Sequence, residues 1–169
     1  MGVNPHFVRH FSAEQLVNLM GTDPETRPAR CYVLGVLLKE EAEIERLGHR
    51  DEESLHSCLK ALSLLLTAFL ESPRPLEGDH ATRIEECVVF LQDVHLPPEV
   101  LEQLMMFYER VGKFAKAEDA LFALIDMSDE YKDRGFAFYE RLLQQPDAAL
   151  EAGGLPRGEV EEGLSQLKR

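Results

Sequence analysis

The 169 residues suffice for one domain with a sizeable core, and with 44% hydrophobic and 29% charged residues the chain reads as globular rather than disordered. Its 31 acidic against 18 basic residues leave a formal charge of −13, a field that repels phosphate backbones and anionic lipid and so argues against nucleic acid and membrane as partners. The three cysteines are odd in number and far apart, so they are expected reduced and buried; no basic-apolar leader opens the chain, and its longest apolar run falls short of the ~20 residues that span a bilayer, so the expected location is the cytoplasm.

Ser12 with Gln15 forms a capping box ahead of Leu16, Val17, Leu19 and Met20, which predicts a short first helix closed by Gly21. A loop over 22–28 follows, with Pro28 opening a second helix from Ala29 to Leu47. Its apolar residues Tyr32, Val33, Val36, Leu37, Ile44 and Leu47 crowd the first half, whereas KEEAEIE over 39–45 is expected solvated, and Gly48 ends the helix. Asp51 suits the cap of a third helix, whose stretch from Leu55 to Leu70 is apolar on nearly every side. Such a helix is either the centre of a bundle or a face that a second subunit covers. The break ESPRPLEGD over 71–79 is the expected sub-boundary between halves 12–70 and 79–167 of a single domain 1–169. A fourth helix begins at Asp79 with Thr82, carries Ile84, Cys87, Val88 and Leu91 on one face, and ends near Val94.

Pro97 to Met127 then reads as two antiparallel helices around Gly112. In the first, Val100, Leu101, Leu104, Met105, Phe107, Tyr108 and Val111 recur at three- and four-residue steps; in the second, Ala117, Leu121, Leu124 and Ile125 do so. Ser128 or Asp129 heads the next helix, with Phe136, Phe138, Tyr139, Leu142 and Leu143, and Gly135 inside it predicts close approach of a neighbour. Residues 146–158 are a loop with room for one helical turn, and EVEEGLSQL closes the chain as a last helix. No segment alternates with period two, so the expectation is an all-α bundle of seven or eight helices.

In the central hairpin Tyr108, Gly112, Phe114 and Ala117, with Leu101 and Leu104 before them, have the spacing of a tetratricopeptide turn, which the hairpin resembles over about thirty residues. A shift by that repeat's ~34 residues finds no second copy: the glycine position falls at Gly78 upstream and Pro146 downstream. Over roughly the C-terminal 70 residues, Ala117-Glu118 through Leu124, Phe138-Tyr139-Glu140-Arg141-Leu142 and Glu159 to Leu164 together resemble an uncharacterised bacterial family of unknown function with tetratricopeptide-like helices. That resemblance implies fold and kinship, and carries over no catalytic or ligand residue.

Chemistry-bearing patterns are sparse. His6 and His10 have metal-ligand spacing if helical, but Pro5 precedes them and no acidic third ligand is placed nearby. His80 and His95 flank the fourth helix, about 22 Å apart along its axis, too far to share an ion. No G-x-S-x-G, G-x-x-x-x-G-K-[ST] or H-E-x-x-H pattern occurs, and His56, two residues from Cys58, points away from it on a helix. No catalytic, cofactor or metal residue is therefore assigned. The expected role is a non-enzymatic interaction or scaffold module with an unidentified protein partner, homodimeric through Leu55, Leu59, Leu62, Leu66 and Phe69. The alternative is a small enzyme or ligand-binding bundle drawing on His80, Glu85 and Tyr108.

Overall fold

The computed structural model describes Val8, residues 10–72 and residues 78–168, and divides into two compact units, Met1–His95 and Leu96–Arg169. Among the described residues there are nine α-helices, one short 3-10 helix and no strand, so the chain is all-α. The first unit holds α1 (Ala13–Leu19), α2 (Arg27–Leu47), α3 (Asp51–Glu71) and α4 (His80–Phe90). The division falls at His95 and Leu96, ahead of Pro97 and Pro98; the stretch 71–79 lies inside the first unit, because α4 packs back onto α3.

Helix α1 starts as its capping box dictates, with the Gln15 amide donating to Ser12 Oγ and the Ser12 amide to Gln15 Oε1. Helix α3 packs against α1, α2 and α4 and is the centre of this unit, with every residue from Ala61 to Ala68 buried. Its 21 residues, four of them polar ones ahead of Leu55, make it long and apolar enough to cross a bilayer by length and composition. Yet 61% of its most apolar window is buried inside the protein, as in a core helix.

Helix α2 departs from expectation. It meets α3 through Cys31, Leu34, Gly35, Leu38, Ala42 and Glu45, whereas Val33, Leu37, Ile44 and Leu47 are 58–81% exposed. At 100° per residue those two sets lie on opposite sides of the helix, so α2 carries two apolar faces and buries the less apolar one. The stretch 39–45 is consequently not a solvated run: Ala42 and Glu45 are buried and Lys39 is mostly covered. What selects this face is the partner surface. Gly35 lets α3 approach until an added Cβ would sit 2.9 Å from Leu65 Cγ, and α3 supplies two hydroxyls to the polar end: Ser57 Oγ donates to Glu45 Oε2 at 2.8 Å, and Ser54 Oγ to the Ala42 carbonyl at 2.8 Å. Beyond Gly48 the residue in the left-handed region is His49, at φ 57°.

The second unit holds α5 (Pro98–Arg110), α6 (Phe114–Met127), a 3-10 turn Asp129–Tyr131, α7 (Lys132–Leu142), α8 (Asp147–Ala152) and α9 (Arg157–Leu167). Gly112 turns α5 into α6 at φ 73°, where a side chain would be strained. The stripes expected for the hairpin are the buried ones, with Val111 and Ile125 half-buried at their margins. Gly135 on α7 does mark a close approach: a Cβ there would meet Leu167 Cδ1 of α9 at 2.6 Å and Leu121 Cδ2 of α6 at 3.5 Å.

Candidate functional site

In the first unit the antiparallel run of α2, α3 and α4 leaves a cleft of about 750 Å³, lined by Lys39, Glu43 and Arg46 of α2, Cys58 of α3, and Glu86 and Cys87 of α4, among others. Lys39 lies 2.8 Å from Glu43 and 2.8 Å from Glu86, tying α2 to α4. Burial alone would depress this ammonium, but the hydrogen bonds to the two carboxylates outweigh it and hold its pKa above the ordinary lysine range. Arg46 stacks its guanidinium 4.6 Å from the centre of the Phe90 ring.

Cys58 and Cys87 are fully buried in this region and side by side. The Cys58 thiol donates to the Cys87 carbonyl oxygen at 3.9 Å. The neighbouring Cys87 side chain and burial push the Cys58 pKa well up, with Lys39 opposing. Cys31 sits apart, raised to about 11 by burial against the opposing Arg27. All three are free and buried, as their apolar setting predicts.

The histidines occupy scattered places. His6 lies outside the described residues, His10 is exposed in a turn, and His95 is exposed beyond α4. His80 stacks on Tyr32 with ring centroids 3.8 Å apart, and burial lowers its pKa while Asp79 pulls the other way. Asp79 does not cap α4 through its side chain; its carboxylate accepts from Tyr32 Oη at 2.7 Å and Arg83 Nε at 2.8 Å. Glu85 lines the cleft, and Tyr108 belongs to the second unit, where it is buried. Among the described residues no three His, Cys, Asp or Glu side chains cluster as a metal site would need. Of the residues expected at a dimer face, Leu62 and Leu66 are fully buried within the unit, Leu55 is exposed, and Leu59 and Phe69 are half-buried.

In the second unit the three sequence stretches that carried the family resemblance come together around Tyr139. Its ring is buried, its hydroxyl donates to Glu118 Oε1 of α6 at 2.6 Å, and Gly163 of α9 lies so close that a Cβ would meet the Tyr139 oxygen at 2.4 Å. Burial raises the Glu118 pKa, the Tyr139 hydrogen bond opposes, and Asp119 and Glu159 add to the rise. A carboxyl with a raised native pKa favours the folded state at low pH, and that contribution is lost as pH climbs through the native value. The urea midpoint of Glu118→Gln, which keeps an acceptor for Tyr139, should therefore gain on that of the parent between about pH 4 and pH 7. A difference constant across that range would show an unshifted Glu118.

The chain belongs to a family of unknown function, DUF6483, whose match runs over residues 29–169. No curated protein and no solved structure matches it.

Proposed function

We propose, from membership in a family that brings no chemistry with it, that this chain is a non-enzymatic interaction module whose outer α2 face receives an amphipathic helix with basic flanks. The carrying observation is the exposed stripe Val33, Leu37, Ile44 and Leu47, which a helix whose other face is already buried against α3 has no fold-level reason to present. From Val33 to Leu47 the stripe runs about 21 Å, the length of four turns of a partner helix. Glu40 and Glu41 lie on it or at its border, and Asp51, Glu52 and Glu53 follow its C-terminal end, which together with the charge of −13 favours a basic partner.

The test is fluorescence anisotropy with a labelled model peptide that is helical, leucine-faced and lysine-flanked. The parent should bind it, and Leu37→Asn with Ile44→Asn should weaken binding at least tenfold while costing only about 0.5 kcal/mol of stability each, as exposed substitutions do. Equal binding by parent and variant would overturn the docking face. If light scattering shows the parent chain doubling its 19.2 kDa mass and the variant not, the occupant is a second copy instead.

In the second unit we read α5, α6 and α7 as a tetratricopeptide-like arrangement. Arg141 grips Glu109 with two bonds of 2.7 Å, and Arg134 pairs with Glu102. Both pairs join residues 32 apart, the offset expected of a first helix and its successor lying parallel, close to the ~34 residues of such a unit. Three free, buried thiols support a reducing compartment such as the cytoplasm as the place of action.

A further inference from the structure

We propose that Cys58 and Cys87 form a dithiol site that small hydroperoxides oxidise to a disulfide, tying α3 to α4 at the base of the charged cleft. Three observations carry it. The two cysteines come from different helices and meet, with the Cys58 thiol donating to the Cys87 carbonyl oxygen at 3.9 Å. Both residues line the cleft, with the Lys39 ammonium among the groups beside them. The third cysteine, Cys31, sits at a different place, next to Arg27 and Glu71, and lines no part of that cleft.

The order of events follows from the hydrogen bonding. The Cys58 thiol keeps its proton, donated to the Cys87 carbonyl oxygen, which leaves Cys87 as the attacking sulfur in this order. The Cys87 thiolate displaces on the peroxide oxygen: an S–O bond forms, the O–O bond breaks, and the alkoxide leaves as alcohol with the proton Cys87 gave up. The Cys58 sulfur then attacks Cys87 sulfur. The S–S bond forms, the S–O bond breaks, and hydroxide leaves as water with the Cys58 proton, so two thiols and one hydroperoxide give one disulfide, one alcohol and one water. Both thiols are buried, which makes the first step slow and leaves Cys31 without a neighbour to trap it. The bridge would close a loop of about 30 residues, the range in which a cross-link restrains the unfolded chain substantially.

The experiment treats the folded full chain with hydrogen peroxide or cumene hydroperoxide, counts free thiols, and maps disulfide-linked peptides. Two of three thiols should disappear together, a peptide joining Cys58 to Cys87 should appear, dithiothreitol should reverse both changes, and the thermal midpoint of the oxidised chain should rise. In Cys31→Ser the same linked peptide should form at the same rate. Linkage through Cys31, an intermolecular bridge, or Cys58 and Cys87 surviving as separate thiols in chain that remains folded would each overturn the proposal.

Discussion

Gly163→Ala should destabilise the second unit by about 3 kcal/mol, read as a lower urea midpoint with an unchanged slope. The backbone of α9 at this position is ordinary helix, so the cost does not come from conformation. It comes from space: the new Cβ would lie 2.4 Å from the Tyr139 oxygen, 2.5 Å from Cζ and 2.7 Å from Cε1. The ring has no slack, being fully buried and pinned by the 2.6 Å bond to Glu118. Either α9 moves off or the phenol swings away and leaves the half-buried Glu118 without its donor, and each route adds to plain overpacking. Tyr139→Phe separates these contributions. Combined with Gly163→Ala it removes the nearest clashing atom but leaves the ring carbons, so a double-mutant cycle should show a coupling of about 1 kcal/mol in favour of the pair. Gly158, in the same helix with nothing within 4 Å of its Cβ position, should accept alanine without loss. Equal effects at 158 and 163 would mean that α9 does not lie against Tyr139.

Leu121→Ala should cost about 2–5 kcal/mol. Leu121 has no exposed surface, and it fills the space over Gly135, where α7 contributes no side chain of its own. The vacated volume would face a bare backbone already in contact with Leu167, so neighbours are poorly placed to collapse into it, which argues for the upper part of that range. Phe122→Ala is the contrasting variant: the adjacent ring is 37% exposed and should cost much less. A thermal midpoint unchanged by Leu121→Ala would remove Leu121 from the core.

Helix-level organisation was legible in the residues because it rests on local signals. The Ser12 and Gln15 box, the left-handed Gly112, the stripes of α5 and α6 and the small residue at 135 each produce the feature they predict. The orientation of α2 was not legible. Its most apolar residues mark one face and its buried residues the other, and the Ser57 hydroxyl of α3, outside the α2 segment, gives the buried Glu45 a donor. A local count of apolar residues therefore selects the wrong side. The same limit hid the place where the units divide, since α4 returns to α3 across a proline-rich stretch that reads as a break. For the candidate sites, each cysteine was recognisable as buried, but the juxtaposition of Cys58 and Cys87 depends on the angular position of α4 against α3. Nothing within either segment encodes that angle.

The contact between Ser57 and Glu45 also bears on which of several similar packings the first unit adopts. Helix α3 is greasy around most of its circumference, and such a cylinder can slide along a neighbour by one turn, about 5.4 Å, while exchanging one leucine contact for another at little cost. With Glu45 fixed to Ser57, and Ser54 to the Ala42 carbonyl, a one-turn slip would break both bonds and part the buried Glu45 carboxyl from the Ser57 hydroxyl. The two hydroxyls act as a key: they add modestly to the depth of the native minimum and substantially to its distance from the nearest competitor. An all-leucine version of this interface would keep its cohesion and lose its single alignment.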